Sequence, residues 1–173
     1  SVSYDIEDSD NYFNSAIQII NSPETYSQYE TNDDCFTFEP NRVYKLTVSA
    51  KTLNLSGKAS LRLVQTGEVD EDGNPKYDTS NDHTISITNN TTSTLNNGYQ
   101  RYTFIINSHP LKTTTFKLVV SLGDEDTATS GSISLTGAVL TKATHKNFED
   151  ASTGSSTQKI NIASTTVDVS SDI

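Results

Sequence analysis

The stretch Val43–Thr52, VYKLTVSAKT, decides the fold of this chain. Its residues alternate strictly between two sets: Tyr44, Leu46, Val48 and Ala50 on one side, and Lys45, Thr47, Ser49 and Lys51 on the other. Successive side chains of a β-strand point to opposite faces, so a repeat of two gives the strand one apolar and one polar face. Pro40 lies just before the stretch and cannot donate to a sheet ladder, so we expect the strand to begin after it.

The same alternation recurs along the chain and predicts further strands. The clear ones are Phe13–Ile20, Cys35–Phe38, Ala59–Thr66, Asp82–Thr88, Tyr99–Asn107, Thr115–Leu122 and Ser132–Thr141. Tyr26–Tyr29 is a shorter aromatic segment, and Tyr4 and Ile6 indicate an edge strand or a tail. Polar turns separate these segments and no helical repeat occurs. About nine strands joined in this way predict an all-β fold, an antiparallel β-sandwich.

The alternation weakens after residue 144, and this sets the predicted domain boundary. Residues 1–144 are interpreted as the sandwich, and residues 145–173 as a linker or C-terminal extension. Weak alternation over Ile160–Ile173 leaves open a tail, the start of a next domain, or a strand donated to a neighbouring subunit.

Charge and composition narrow the classes of function. The chain has 173 residues, with 12 basic and 22 acidic side chains and a net charge of −10. An acidic chain without a basic stripe argues against nucleic acid as a partner, and no apolar run is long enough for membrane insertion. Methionine is absent, and no signal sequence is visible. We therefore expect a processed or excised part of an exported protein, at the cell surface or outside the cell.

Cys35 is the single cysteine, so no disulfide can form within the chain. It lies in the alternating run CFTF, which indicates a half-buried strand residue. The acidic neighbours Asp33 and Asp34 favour the protonated thiol, so we expect a raised thiol pKa and an unreactive side chain.

The order of three segments is similar to that of known sugar-binding domains. These segments are EPNRVYKLTVSAKT (Glu39–Thr52), GYQRYTF (Gly98–Phe104) and KLVVSLGDEDTATSGSISLTGAVLTKA (Lys117–Ala143). Together they resemble the jelly-roll carbohydrate-binding modules, of families four, nine and twenty-two, that are attached to bacterial polysaccharide-degrading enzymes. The resemblance covers Phe13–Ala143 and implies a jelly-roll sandwich that binds polysaccharide or another glycan without catalysis.

Two departures from that pattern concern the binding sites. Such modules usually carry tryptophan in the sugar cleft, and this chain has none. Their last strand usually holds an aspartate tied to a structural calcium ion, and the matching position here is Thr136 or Gly137. The resemblance therefore implies the fold, but it implies neither the sugar cleft nor the calcium site.

Candidate sugar-binding residues follow from the chemistry of the ligand. Sugars need flat apolar faces for their C–H groups and planar polar groups for their hydroxyls. Tyr77 lies in the long loop, Tyr99 begins a strand, and Arg62 and Arg101 point away from the predicted core. We predict that these four form one ligand-binding face; the alternative is that they are ordinary surface residues.

Calcium is the cofactor that the acidic segments suggest, because it prefers several oxygen ligands including carboxylates. The candidate metal ligands are Asp5, Glu7, Asp124 and Asp126, with further carboxylates at Asp8, Asp10, Asp70, Asp72 and Glu125. A structural calcium ion is thus an expectation, and no other cofactor is expected.

The sequence contains no motif that indicates catalysis. His83, His109 and His145 are scattered, and no nucleophile motif is present. We therefore predict a non-catalytic binding module whose partner is a polysaccharide or glycan. The alternative is a structural or adhesive module of a surface, filament or viral protein, whose partners are neighbouring domains or subunits.

Overall fold

Twelve strands are found in a computed structural model that describes residues 2–6, 16–21, 25–67, 72, 83–88, 99–124, 126–142, 156–159 and 167–172. In chain order they are β1 (Val2–Ile6), β2 (Ala16–Asn21), β3 (Thr25–Glu30), β4 (Phe36–Phe38), β5 (Val43–Leu53), β6 (Ala59–Thr66), β7 (His83–Ile87), β8 (Gln100–Asn107), β9 (Thr114–Leu122), β10 (Gly131–Lys142), β11 (Ser156–Lys159) and β12 (Val167–Asp172). Every pairing between them is antiparallel.

The strands form two sheets of six. Sheet A has the order β1-β2-β10-β5-β8, with β11 also paired to β10. Sheet B has the order β12-β3-β9-β6-β7, with β4 also paired to β9. The chain crosses repeatedly from one sheet to the other, so the predicted all-β sandwich is confirmed.

The core lies between the sheets and is built from alternate residues of each strand. In β5, Tyr44, Leu46, Val48 and Ala50 are buried, as the alternation predicts. They meet inward side chains of sheet B such as Leu61, Leu63, Leu118 and Val120 in one hydrophobic cluster. Burying one aliphatic side chain of this kind stabilises the fold by roughly 1.5–3 kcal/mol. The arrangement fixes which side chains point outward from each sheet.

A β-bulge in β10 keeps its apolar residues in the core. The pairing with β5 shifts between Thr136 and Val139, and Gly137 has a φ of 63° there. The extra residue changes the inward set from odd to even numbers, so that Leu135 and Ala138 both reach the core. Strict alternation across this segment would have turned Ala138 outward.

Part of the segment after residue 144 also pairs within this chain. β11 pairs with β10, and β12 pairs with β3. β11 thus belongs to sheet A and β12 to sheet B. Both lie in the segment that the sequence predicts to be a linker or extension.

Candidate functional site

A groove crosses the outer face of sheet B. Its volume is about 420 Å³, and we call it the sheet B groove. It is lined by Tyr26 and Gln28 of β3, Ser60 and Arg62 of β6, Thr84 of β7, Ser121 of β9, and Gly123 and Asp124 of the following turn. Four neighbouring strands therefore contribute side chains to one concavity.

Small hydroxyl side chains form the floor because the strand register aligns them. Gln28 lies opposite Ser121, which lies opposite Ser60, which lies opposite Ser86. Adjacent strands are ~4.8 Å apart, so this row crosses ~14 Å of sheet. Short side chains at the centre of the row leave the space that the longer side chains around it enclose.

The next row places charges on both sides of an apolar residue. Val119 lies opposite Glu30 on one side and Arg62 on the other. Val119 is fully buried although it points outward from sheet B, whereas Arg62 is exposed. Lys117 lies 3.5 Å from Glu30, and Gln28 Nε2 donates to the same carboxylate at 3.3 Å. These contacts hold Gln28 at the wall of the groove.

Gly123 brings the following turn close to Tyr26. Its φ is 77°, and a Cβ there would lie 3.1 Å from the Cβ of Tyr26 and 2.5 Å from the carbonyl oxygen of Thr127. A residue with a side chain would strain the backbone and push these groups apart. Glycine thus lets the tyrosine and the turn meet at one end of the groove.

Asp124 closes that turn with its side chain. Its Oδ1 accepts hydrogen bonds from the main-chain N–H of Asp126 at 2.9 Å and of Thr127 at 2.7 Å. This is the Asx arrangement in which an aspartate caps its own turn. The turn engages Oδ1, and the carboxylate also lines the groove.

The predicted ligand-binding residues that the structure describes do not come together. Arg62 lies in the sheet B groove, whereas Arg101 is exposed on the outer face of sheet A. The structure does not bring this pair together, because β6 and β8 belong to different sheets and both arginines point away from the core. Tyr99 is buried, with the Lys51 ammonium 4.8 Å from its ring centre. Tyr77 lies outside the described residues.

Sequence reasoning missed most of the groove. Ser60, Thr84 and Ser121 drew no attention, because serine and threonine are frequent throughout the chain, and neither did Gln28. Tyr26 figured only in the predicted aromatic segment Tyr26–Tyr29. One local signal existed: all five occupy outward positions that alternate with core residues.

The calcium prediction stays a prediction. Asp124 and Asp126 share the turn after β9, while Asp5 lies in β1 with its side chain outside the described part, and Glu7 lies outside it altogether. Within the described part, no three His, Cys, Asp or Glu side chains gather as a metal site would require.

Two of the three histidines line one small cavity. His83 and His109 border a space of about 150 Å³ at the end of β8, together with Gln65 and Asn107. His109 Nδ1 accepts the main-chain N–H groups of Leu111 and Lys112, both at 3.0 Å. His109 Nδ1 is therefore engaged by main-chain donors of the turn that follows it. His145 lies outside the described residues.

Comparisons with known proteins give likenesses of fold. The chain is similar to a family 16 carbohydrate-binding module, with a TM-score of 0.45 and 8% identity over 73% of this chain and 76% of that chain. It is also similar to the enzymatically active domain of bacteriophage CBA120 tailspike protein 4, with a TM-score of 0.48 and 16% identity. That match covers 92% of this chain and 18% of the tailspike chain. No family model and no curated protein matches the sequence.

Within the described residues, no helix has the length and apolar character that crossing a membrane would need.

Proposed function

We propose that this chain is a non-catalytic carbohydrate-binding domain that holds a glycan in the sheet B groove. The observation that carries the proposal is the lining of the groove, which combines an aromatic residue, planar polar groups and hydroxyls on one sheet face. This is the composition that a ligand with apolar C–H faces and many hydroxyls needs.

Hydrogen-bonding capacity supports the choice of a sugar. A sugar hydroxyl both donates and accepts, and so do serine hydroxyls and a glutamine amide. Ser60, Ser121 and Gln28 offer both roles, Arg62 supplies donors, and Asp124 supplies acceptors. Tyr26 lies at the end of the groove, where its ring is suited to pack against a pyranose face.

The scaffold lowers the entropic cost of binding. The groove residues sit mainly on paired strands, and Gln28 and Asp124 are further held by their own hydrogen bonds. Fewer side chains then lose freedom when a ligand binds. We place such a domain outside the cell or on its surface, where polysaccharides are met, with a glycan as its partner.

A binding screen tests this proposal. The full chain is screened against a glycan array and insoluble polysaccharides, once with calcium and once with a chelator. We expect binding to one polymer class, and the chelator arm reports whether calcium takes part. A folded, monodisperse sample that binds no glycan in either condition would overturn the proposal and favour the structural or adhesive alternative.

Two matched variants locate the site. Arg62→Ala removes a groove cation and Arg101→Ala removes an exposed cation from the opposite surface. We expect Arg62→Ala to weaken binding about tenfold, the effect of losing a charged hydrogen bond of ~1.5 kcal/mol, while Arg101→Ala stays within about twofold. Equal losses from both would move the ligand away from the sheet B groove.

A further inference from the structure

The sheet B groove has a long diagonal across three adjacent strands, β3, β9 and β6. Glu30 lies opposite Val119, which lies opposite Arg62, so Arg62 is level with Glu30 two strands away. Tyr26 comes four residues before Glu30 on β3. With ~3.3 Å per residue and ~4.8 Å between strands, the backbone positions of Tyr26 and Arg62 are ~16 Å apart along this diagonal.

Ser121 lies at the midpoint of the diagonal. It is paired with Gln28 on β3 and with Ser60 on β6. Gln28 follows Tyr26 by two residues, and Ser60 precedes Arg62 by two. A ligand that spans the diagonal therefore meets an aromatic residue at one end, a hydroxyl at its centre and a guanidinium at the other end.

The dimensions of the groove match a short run of sugar units. A pyranose ring built of ~1.5 Å bonds advances a glycan chain by ~5 Å, so a diagonal of ~16 Å holds about three units in line. One unit has about eleven heavy atoms and fills ~150 Å³ at the packing density of organic crystals. The groove volume of about 420 Å³ is close to that of three such units.

The guanidinium of Arg62 is available to a ligand. Arg62 is exposed, and no carboxylate of the residues that the structure describes lies within ion-pair distance of it. Lys117, on the neighbouring strand, differs in this respect because its ammonium lies 3.5 Å from Glu30. Arg62 therefore keeps its five N–H donors for hydroxyl or ring oxygens of a bound sugar.

We propose that the sheet B groove binds three consecutive units of a linear glycan. Tyr26 packs against the first unit, Ser121 lies under the second, and Arg62 donates hydrogen bonds to the third. Three-unit binding rests on the proposed function and adds to it the length of the bound segment and the order of its contacts. Affinity should therefore rise with chain length up to three units and then level off, because further units lie beyond the groove.

Calorimetric titration of the full chain measures this length dependence. The probes are oligosaccharides of one to five units cut from the polysaccharide that the binding screen retains. We expect the trisaccharide to bind about tenfold more tightly than the disaccharide, and the longer oligosaccharides to stay within about twofold of the trisaccharide.

The opposing outcomes separate this inference from the proposed function. Saturation at the disaccharide, no binding by any of these oligosaccharides, or a rise beyond twofold after the trisaccharide would overturn three-unit binding and leave binding of the polysaccharide intact. A screen that retains no polysaccharide would overturn both.

Arg62→Ala tests the contact with the third unit. We expect the tenfold step from disaccharide to trisaccharide to shrink to within about twofold, while the disaccharide, which can occupy the Tyr26 end, keeps its wild-type affinity. Arg101→Ala, on the outer face of sheet A, is the matched control and should keep the tenfold step. A tenfold step that survives Arg62→Ala, or an equal loss of affinity for both lengths, would overturn the assignment of Arg62 to the third unit.

Discussion

The side-chain amide of Asn21, in sheet A, donates a hydrogen bond to the main-chain carbonyl of Leu122, in sheet B, at 3.2 Å. The same Nδ2 group donates to the carbonyl of Thr129 at 3.1 Å, and Ser27 donates its hydroxyl to Asn21 Oδ1. One buried side chain thus joins the two sheets and the 123–130 segment that ends the sheet B groove.

Replacing Asn21 with alanine should destabilise the fold strongly. The change would leave the carbonyls of Leu122 and Thr129 without this buried donor, and each unsatisfied group costs ~1–3 kcal/mol. We expect a loss of about 2–4 kcal/mol in the free energy of unfolding, measured by urea denaturation. Asn107→Ala, at an exposed position, is the control and should change the free energy by less than about 0.5 kcal/mol. A small effect of Asn21→Ala would mean that water replaces the amide.

Two substitutions of Asp124 distinguish its role in the turn from a role of its charge in ligand binding. Asp124→Asn keeps an Oδ1 acceptor for the N–H groups of Asp126 and Thr127, whereas Asp124→Ala removes it. We expect the alanine variant to lose ~1–2 kcal/mol of stability and the asparagine variant much less. If the carboxylate contacts the glycan, both variants bind more weakly in calorimetric titrations. Unchanged affinity of the asparagine variant would restrict Asp124 to the turn.

Gly131→Ala should be poorly tolerated. Its φ is 106°, and an added Cβ would lie 2.7 Å from the carbonyl carbon of Asn54 and 2.8 Å from the carbonyl oxygen of Leu53. Both strain and backbone overlap oppose the change, so we expect a loss of about 2–4 kcal/mol by thermal or urea unfolding. Gly57→Ala meets the side-chain hydroxyl of Thr129 at 2.7 Å and has no left-handed φ, so it lacks the backbone strain of Gly131→Ala and should cost less.

The thiol of Cys35 should react slowly. Burial raises its pKa, the charge of Asp34 raises it further, and a hydrogen bond with Thr31 opposes both. At pH 8 we expect iodoacetamide to alkylate it more slowly than a free cysteine, because less thiolate is present. A rate equal to that of the unfolded chain in urea would contradict this assignment.

The same shift predicts how stability depends on pH. The folded state holds the Cys35 proton more tightly than the unfolded state, so this contribution is complete below the unfolded-state pKa and is lost as pH rises through the folded-state pKa. Wild type should therefore lose more stability than Cys35→Ser on going from pH 7 into the alkaline range. Burial also raises the pKa of Tyr44 and Tyr102, and these tyrosines act in the same direction at higher pH in both proteins. Parallel pH profiles for wild type and Cys35→Ser would contradict the assignment.

Alternation foretold the fold well because it is a local property. The predicted strand Ala59–Thr66 matches β6 in both bounds, and the inward residues of β5 are those that the pattern gave. The bulge at Gly137 was invisible, since it depends on how β10 pairs with β5. Phe13, the predicted first residue of an early strand, lies outside the described residues.

The candidate site was far less predictable, because it depends on which strands are neighbours. Arg62 and Arg101 look alike in sequence, each a cation at an outward strand position, yet β6 and β8 belong to different sheets. The groove arises from the order β3-β9-β6-β7, which joins residues as distant in sequence as Gln28 and Ser121. No local pattern encodes that order.

The central position of the late strands has a consequence for synthesis. β10 lies between β2 and β5, and β9 lies between β3 and β6. Neither sheet can therefore be completed until residues 114–142 have left the ribosome. Until then β2, β3, β5 and β6 emerge with open edges, and their final partners are separated from them by long stretches of chain. Folding that depends on such distant pairings is slow. A net charge of −10 favours solubility of the chain until its last two core strands are available.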